Sequence, residues 1–276
     1  MSKITMGNFF SGSGTWELAA QICGAEPIWE SEIEKFPIEL EAKRFPNCKQ
    51  LGDITKVSGY DIEPVDIMTN SSPCQNLSVA GKREGLKGNR SGLFHEVIRI
   101  TKEMREKEYE RHGRTDDDFR PRPYLWFWEN VPGLLSSGEP KGEDFRIALE
   151  EIAKICEENV SIPMPESGKW ANYGSVEGNG WSIAWRTSNS ANEGVPQTRR
   201  RIFLVLDTRG GSATEILFKS TGMCWDFKEI RETWERTSES LEERIAQAGR
   251  IVRADVQAAD GVGEQLEKNS QALPIL

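Results

Sequence analysis

Two residues of this sequence are placed where side chains can form and break bonds. Cys74 lies in the polar segment Pro73–Gly81, directly after the compact apolar run Val65–Thr69. A cysteine in a polar loop after a strand can be exposed, and nearby amides favour its nucleophilic thiolate. Glu129 directly follows the apolar run Leu125–Trp128, a position that suits a proton donor. A lone cysteine is more often a small buried hydrophobe, so these two residues gain meaning only from their neighbours.

A thiolate and a proton donor together can activate a weakly nucleophilic ring carbon. Carbon 5 of cytosine does not attack a methyl donor unaided. Addition of a thiolate to C6, with protonation of N3, makes C5 an enamine-like nucleophile that a sulfonium methyl donor can alkylate. Removal of the C5 proton then eliminates the thiolate. The base must leave the helical stack to be reached, which calls for cationic contacts to the distorted backbone.

Glycines and acids follow the earlier strand-like segments. The segment Phe10–Gly14 reads Phe-Ser-Gly-Ser-Gly, and glycines between a strand and a helix let the backbone approach a bound nucleotide closely. Glu32 comes just after the second strand-like segment, where a carboxylate can bind ribose hydroxyls. Asp53 lies in the turn Gly52-Asp53-Ile54. Taken singly, each of these features fits a tight turn or an exposed acid at least as well.

The charge distribution argues against a general affinity for nucleic acid. The net charge is −9 and the isoelectric point is about 5.1. Basic residues cluster at two places, Lys82, Arg83, Lys87 and Arg90 in a glycine-rich stretch, and Arg199, Arg200 and Arg201 further on. Short clusters of this kind are ordinarily solvated faces, so a binding role depends on what lies beside them.

Cysteine and histidine usage excludes several classes of protein. The five cysteines are widely spaced with no Cys-x-x-Cys pair, which argues against a disulfide framework and a structural zinc site. The two histidines leave little room for a multi-histidine metal centre or a Ser-His-Asp hydrolase, and we expect no metal. No apolar run approaches about 18 residues, and Met1–Phe10 lacks the pattern of a secretory signal. We therefore expect a cytoplasmic protein that does not contact membrane.

Apolar runs and helix-period stretches alternate along most of the chain. Strands are predicted at Ile4–Phe10, Pro27–Trp29, Val65–Thr69, Tyr124–Trp128, Trp181–Arg186 and Arg201–Leu206. Helices are predicted at Trp16–Cys23, Ile33–Arg44 (which Pro37 would bend or shift), Leu93–Arg105 and Asp144–Glu157. This alternation predicts an α/β fold with a doubly wound, mostly parallel sheet. We expect a catalytic domain over residues 1–225 and a helical, partly disordered tail over residues 226–276.

The order of these segments resembles the cytosine-C5 DNA methyltransferase family. Six segments agree with the family's motifs in order and spacing over roughly residues 3–207, and they are Phe10–Gly14, Ser31–Glu34, Leu51–Thr55, Pro73–Gly81, Glu129–Val131 and Gly194–Arg201. Six ordered matches are far less probable by chance than any one of them. The resemblance implies a Rossmann-like, S-adenosylmethionine-dependent methyltransferase fold.

The resemblance also implies roles for individual residues. The catalytic group would be the nucleophile Cys74, the N3 proton donor Glu129, and the arginines Arg199 and Arg201. The residues that would line the S-adenosylmethionine site are Phe10, Gly12, Gly14, Glu32, Ile33, Asp53, Ile54, Pro73 and Leu93. DNA with a flipped cytosine would contact Gln75, Ser78, Lys82, Arg83, Arg90, Asn130 and Gln197. The basic segment Ser78–Gly92 resembles the family's mobile loop that closes over DNA.

Two departures from the family pattern qualify this reading. The family usually has an acid at the position of Asn8. Family members also continue, after the arginine motif, with a target-recognition region and a final cofactor motif, whereas about 70 residues follow Leu206 here. We therefore expect an incomplete or missing target-recognition region, which a second chain would supply, and a restriction endonuclease as a partner in the same system. The alternatives are an inactive, S-adenosylmethionine-binding remnant or subunit, and a tRNA cytosine-C5 methyltransferase.

Overall fold

The structure is a computed structural model of the chain, and it describes residues 3–72, 91–112, 119–193 and 198–218. Eight strands form one sheet, namely β1 (Thr5–Phe9), β2 (Glu26–Ser31), β3 (Lys49–Gln50), β4 (Ile67–Asn70), β5 (Leu125–Asn130), β6 (Tyr173–Gly178), β7 (Trp181–Asn189) and β8 (Arg200–Asp207). Their order across the sheet is β3-β2-β1-β4-β5-β8-β7-β6. All six predicted strands are present, and β3 and β6 are additional.

Five α-helices accompany the sheet, namely α1 (Thr15–Ile22), α2 (Lys35–Arg44), α3 (Ser91–His112), α4 (Glu143–Ala153) and α5 (Ala213–Phe218). The four predicted helices are present, and α5 is additional. Pro37 does not break α2, because it lies in the first helical turn, where its missing N–H has no intrahelical partner. None of the described helices is both long enough and apolar enough to cross a membrane.

The sheet is parallel on one side and antiparallel on the other. Strands β3, β2, β1, β4 and β5 run parallel, whereas β8, β7 and β6 pair antiparallel. Alternate strand residues bury apolar side chains on both faces. Residues of α3 and α4 pack with one face, including Trp126 and Trp128, and residues of α1 and α5 pack with the other, including Phe127. The predicted doubly wound, mostly parallel α/β fold is confirmed.

This topology gathers the candidate site residues at one edge of the sheet. The five parallel strands all end there, and the segments that follow them carry the predicted motifs. Because β8 is antiparallel to β5, its first residue Arg200 returns to the same edge, opposite Asn189 of β7. The proposed division at residue 225 and the tail beyond it lie outside the described residues and stay predictions.

Candidate active site

Glu129, near the end of β5, pairs with two arginines beside the start of β8. Its Oε1 lies 2.8 Å from Nε of Arg201 and 3.6 Å from a terminal guanidinium nitrogen of Arg199. The side chain of Glu129 is 19% exposed, whereas that of Arg199 is 53% exposed. The predicted acid and both predicted arginines therefore meet in a partly shielded position that opens to solvent through Arg199.

The arginine segment is tied to the end of the neighbouring strand. The backbone N–H of Arg199 donates to Oδ1 of Asn189 and to Oγ of Ser190, both at 3.1 Å. Register pairing continues this contact, with Arg200 opposite Asn189 and Arg201 opposite Ser188. These contacts fix the backbone at the start of β8, so the side chains of Arg199 and Arg201 extend from defined positions.

A buried network connects the end of β4 to the end of β5. The carbonyl oxygen of Ser72 accepts from Nδ2 of Asn130 at 3.0 Å and from Nε1 of Trp128 at 3.3 Å. Oγ of Ser72 also accepts from Trp128 at 3.1 Å and donates to Oδ1 of Asn70 at 3.0 Å. Ser72 and Asn70 are both fully buried. The predicted substrate residue Asn130 thus holds the backbone two residues before Cys74.

The segment after β1 has a backbone shaped for close approach. Phe10 has a φ of 62°, an uncommon conformation for a residue with a side chain, and its N–H donates to the carbonyl of Ser31 at 2.9 Å. Gly12 follows with a φ of 60°, and a Cβ placed there would meet no atom within 4 Å. The backbone at Gly12 therefore borders open space, as a nucleotide-binding turn requires.

Glu32 is fixed by backbone donors on two sides. Its Oε2 accepts from the N–H of Gly12 at 3.0 Å, and its Oε1 accepts from Ile33 at 2.7 Å and Glu34 at 3.0 Å. Each carboxylate oxygen has about two acceptor positions, so Oε2 keeps one for a further donor. The acid predicted to bind ribose thus lies beside the glycine segment, held in one orientation.

The remaining predicted cofactor residues differ in their availability. Ile33 is 69% exposed beside Glu32, and Leu93 is half-buried against the core. Hydrogen bonds from Thr55 to the carboxylate of Asp53 hold its pKa below the usual value. Ile54, in contrast, is only 4% exposed within the main core. Its side chain is therefore part of the core.

Several predicted site residues lie outside the described residues. They are Pro73, Cys74, Gln75, Ser78, Lys82, Arg83, Arg90 and Gln197. Their roles stay predictions that rest on the sequence. The described site consists of the glycine segment, Glu32, Asp53, Glu129 and the two arginines, together with the Ser72 network.

A family model described as C-5 cytosine-specific DNA methylase matches residues 4–156, more than half of the chain. The chain belongs to this family. The matched range begins in front of the glycine segment and includes both Cys74 and Glu129. The resemblance found in the sequence motifs is thereby confirmed.

Curated relatives match with moderate identity. The type II methyltransferase M.HhaI of Haemophilus parahaemolyticus is 36% identical over 198 residues, covering 72% of this chain and 47% of the relative. A protein of Escherichia phage P1 named DNA N-6-adenine-methyltransferase is 29% identical over 248 residues, covering 81% of this chain and 31% of the relative. The chain thus spans less than half of the length of either relative.

A solved structure shows the same fold. The methyltransferase Dnmt2 of S. pombe matches with a TM-score of 0.51 and 16% identity, over 81% of this chain and 57% of that one. The similarity supports the Rossmann-like methyltransferase architecture of the described sheet and helices.

Behind the glycine segment of this family member, three carboxyl groups are buried together, a feature that the motifs did not reveal. Glu17 of α1, Glu30 of β2 and Glu41 of α2 are almost completely buried, and one oxygen of each lies within 4.8 Å of the others. Oγ of Ser11 donates to Oε2 of Glu41 at 2.8 Å. The cluster is therefore joined directly to the segment that the family uses for its cofactor motif.

Asn8, the departure from the family pattern, belongs to this cluster. Its Nδ2 donates to Oε1 of Glu17 at 2.8 Å, and its Oδ1 accepts from Oγ1 of Thr69 at 2.8 Å. A fourth carboxylate at this position would add repulsion to a site that already holds three acids. The amide instead donates a hydrogen bond to Glu17 without adding a charge.

Burial makes the carboxyl cluster retain protons at neutral pH. It raises the pKa of Glu17 to about 7 and that of Glu41 to about 9, with the neighbouring Glu30 adding to the second shift. The pKa of Glu30 is also raised by burial. Oε2 of Glu17 has no hydrogen-bond partner among the described residues. The sequence gives only a weak sign that Glu17 is buried. It lies three residues before the buried Ala20, and this spacing places both on the same face of α1.

Replacing Glu41 with glutamine is expected to stabilise the protein at high pH. Unfolded carboxyls ionise near pH 4.5, whereas the folded cluster keeps its protons up to about pH 7 and 9. The folded state binds more protons in this window, so stability falls as pH rises, by about 1.4 kcal/mol per pH unit for each proton. At pH 9 we expect the free energy of unfolding of Glu41→Gln to exceed that of the wild type by about 2 kcal/mol or more.

Urea denaturation at pH 5, 7 and 9 measures this effect. Glu39→Gln on the same helix is the matched control, because Glu39 is 58% exposed and its ion pair among the described residues is with Lys35 at 3.7 Å. The control should follow the wild-type pH profile, while Glu41→Gln should have a shallower one. Parallel profiles for the wild type and Glu41→Gln would show that the cluster holds no extra proton.

Proposed function

We propose that this chain transfers a methyl group from S-adenosylmethionine to C5 of cytosine in DNA. The observation that carries the proposal is the meeting of Glu129 with Arg201 and Arg199 at the sheet edge where the Cys74 segment leaves β4. Ser72, two residues before Cys74, is bonded to Asn130, the neighbour of Glu129. A proton donor and two cations thus meet at the edge of the sheet from which the chain leads on to the predicted nucleophile.

In this proposal Cys74 supplies covalent catalysis. Its thiolate adds to C6 of the flipped cytosine, forming an S–C bond while N3 takes a proton from Glu129. The electron pair of the resulting enamine then forms the bond from C5 to the methyl carbon, while the bond from that carbon to the sulfonium sulfur breaks and S-adenosylhomocysteine leaves as a neutral thioether. Loss of the C5 proton to a base and return of the N3 proton to Glu129 expel the thiolate, which restores both residues.

The two arginines have separate tasks around this proton transfer. Arg201 is close enough to orient the Glu129 carboxyl through its Nε, at 2.8 Å. Arg199 is farther from Glu129 and more exposed, so its guanidinium is available to a phosphate or to the flipped nucleotide. One arginine therefore positions the acid and the other is placed to meet the substrate.

The described residues fit S-adenosylmethionine. The open backbone at Gly12 and the free acceptor position on Glu32 suit a nucleoside with ribose hydroxyls, and the exposed Ile33 beside them offers an apolar surface to an adenine ring. When bound, this sulfonium supplies an electrophilic methyl group. The chain's own part is to hold that methyl group in line with C5 and to exclude water.

Partners follow from the same proposal. DNA is the substrate, and the basic residues Lys82, Arg83 and Arg90 contact its backbone in spite of the overall net charge of −9. A second chain would supply target recognition, and a restriction endonuclease would share the recognised sequence. The proposal also includes a cytoplasmic location for the protein.

Trapping on DNA that contains 5-fluorocytosine tests the nucleophile and the substrate in one experiment. Fluorine at C5 cannot leave as a cation, so the C6 adduct persists after methyl transfer. We expect the purified chain with S-adenosylmethionine to form a covalent complex that survives denaturing gels, and peptide mass spectrometry should place the DNA on Cys74. Unmodified DNA treated in parallel should yield 5-methylcytosine on nucleoside analysis.

The other products separate the alternatives. N6-methyladenine in the digest would contradict the proposal and agree with the name of the phage P1 relative. Transfer to tRNA without transfer to DNA would favour the tRNA enzyme. Binding of S-adenosylmethionine with no transfer to either nucleic acid would favour a cofactor-binding subunit.

A further inference from the structure

The indole of Trp128 contacts one residue on each side of segment 73–90, namely Ser72 and Phe94. On one side its Nε1–H donates to Ser72, at 3.1 Å to Oγ and 3.3 Å to the carbonyl oxygen. On the other side its ring lies 4.9 Å from that of Phe94, at an interplanar angle of 38°. Phe94 belongs to the first turn of α3, which begins at Ser91. A single side chain therefore lies between the last residue before the segment and the first turn after it.

These contacts are buried and close to the proposed proton donor. Ser72 and Phe94 are fully buried, and Trp128 is 1% exposed. Trp128 directly precedes Glu129 in β5, and its strand neighbour in the register is Asn70 of β4. Burial removes competition from water, so the indole N–H bond defines the position of the Ser72 backbone more firmly than an exposed bond would.

We propose that Trp128 is a positioning residue for the nucleophile, acting through Ser72 and Phe94 to fix where the Cys74 segment leaves and rejoins the fold. The proposal rests on the function proposed above. Because Trp128 and Glu129 are adjacent in one strand, the same backbone sets the distance between the proton donor and the start of the nucleophile segment. A displacement of about 1 Å at a reacting group costs as much as a hundredfold in rate.

Trp126 provides a matched control in the same strand. It lies two residues before Trp128, packs in the same core cluster and is fully buried. Its Nε1, in contrast, has no hydrogen-bond partner among the described residues. Replacement by phenylalanine removes a similar volume at either position, but only at Trp128 does it remove a hydrogen bond to Ser72.

The experiment compares Trp128→Phe with Trp126→Phe in the full chain. We expect Trp128→Phe to lower the single-turnover rate of methyl transfer and the rate of adduct formation about tenfold, with little change in S-adenosylmethionine affinity. Trp126→Phe should leave both rates near those of the wild type. Amide hydrogen exchange in peptides around residue 72 should become faster in Trp128→Phe and not in Trp126→Phe.

Each outcome decides the proposal. Equal losses of rate and thermal stability in both variants would reduce Trp128 to a packing residue, and unchanged rates in Trp128→Phe would overturn the proposal outright. Ser72→Ala removes the Oγ acceptor and should lower the rate in the same direction, which covers the case in which Trp128→Phe does not fold. If the wild type transfers no methyl group, the proposed function fails. The hydrogen-exchange comparison still tests whether Trp128 holds the backbone at Ser72.

Discussion

Replacing Cys74 with serine is expected to abolish methyl transfer, with a loss of at least about ten-thousandfold. A serine hydroxyl is almost entirely protonated at neutral pH, and an alkoxide is not formed without a base beside it. Without addition at C6, C5 of cytosine stays too weakly nucleophilic to be alkylated. Radiolabelled S-adenosylmethionine with DNA, under single-turnover conditions, measures this loss.

Other thiols of the chain provide the control for this variant. Burial raises the pKa of Cys156 to about 11 and raises that of Cys48 as well, so both stay protonated at neutral pH. Cys156→Ser should therefore retain methyl transfer and adduct formation. Binding of S-adenosylmethionine should survive in both variants, because Cys74 takes part in addition to the ring. Residual transfer by Cys74→Ser within tenfold of the wild type would refute covalent catalysis by this residue.

Apart from the two-residue strand β3, the strands of the parallel half were predictable, because each can be recognised from its own residues. Strands β4 and β5 are short apolar runs that end in polar turns, the expected form of a strand buried on both faces. The helices that follow have apolar residues at helical spacing and need no distant partner to be recognised. Local sequence therefore carried enough information to place this half of the sheet.

Strand β6 was not predictable from its own sequence, because its residue types suit the side chains of the strand with which it pairs, β7. It contains Gly174 and Gly178, which weaken any strand prediction. In the sheet these glycines lie opposite Trp185 and Trp181, and a Cβ on either glycine would approach the indole ring to 2.4 Å or less. The glycines make room for large rings across the strand, a reason that only the pairing reveals.

The candidate site shows the same division between local and distant information. The resemblance implied that Glu129 and Arg201 belong to one catalytic group, and the antiparallel pairing of β5 with β8 brings their side chains to 2.8 Å. The carboxyl cluster of Glu17, Glu30 and Glu41 was not predicted, since each is an ordinary acid in its own segment. Its unusual pKa values arise from burial by elements that are distant in sequence.

The pair formed by Glu129 and Arg201 leads to the second large effect, in Glu129→Gln. Glutamine has nearly the same shape, and its Oε1 still accepts from Nε of Arg201, so the ion pair is replaced by a hydrogen bond. It cannot release a proton to N3 of cytosine. General acid catalysis contributes about a hundredfold to ten-thousandfold, and we expect a loss of that size in the single-turnover rate of methyl transfer.

Glu108→Gln separates this loss from the general cost of breaking an arginine pair. Glu108 of α3 is 4% exposed and accepts a hydrogen bond from Arg122 at 2.7 Å. Arg122 lies just before the start of β5, so this pair is at the opposite end of the strand from Glu129. Its replacement should lower the thermal midpoint, because a buried partner of a cation is neutralised, and leave the transfer rate within about threefold of the wild type. Glu129→Gln should lower the transfer rate and leave the thermal midpoint close to that of the wild type. Its affinity for S-adenosylmethionine should be retained. If both variants lost rate in proportion to their loss of stability, Glu129 would be a structural partner of Arg201, and the proton at N3 would have to come from elsewhere.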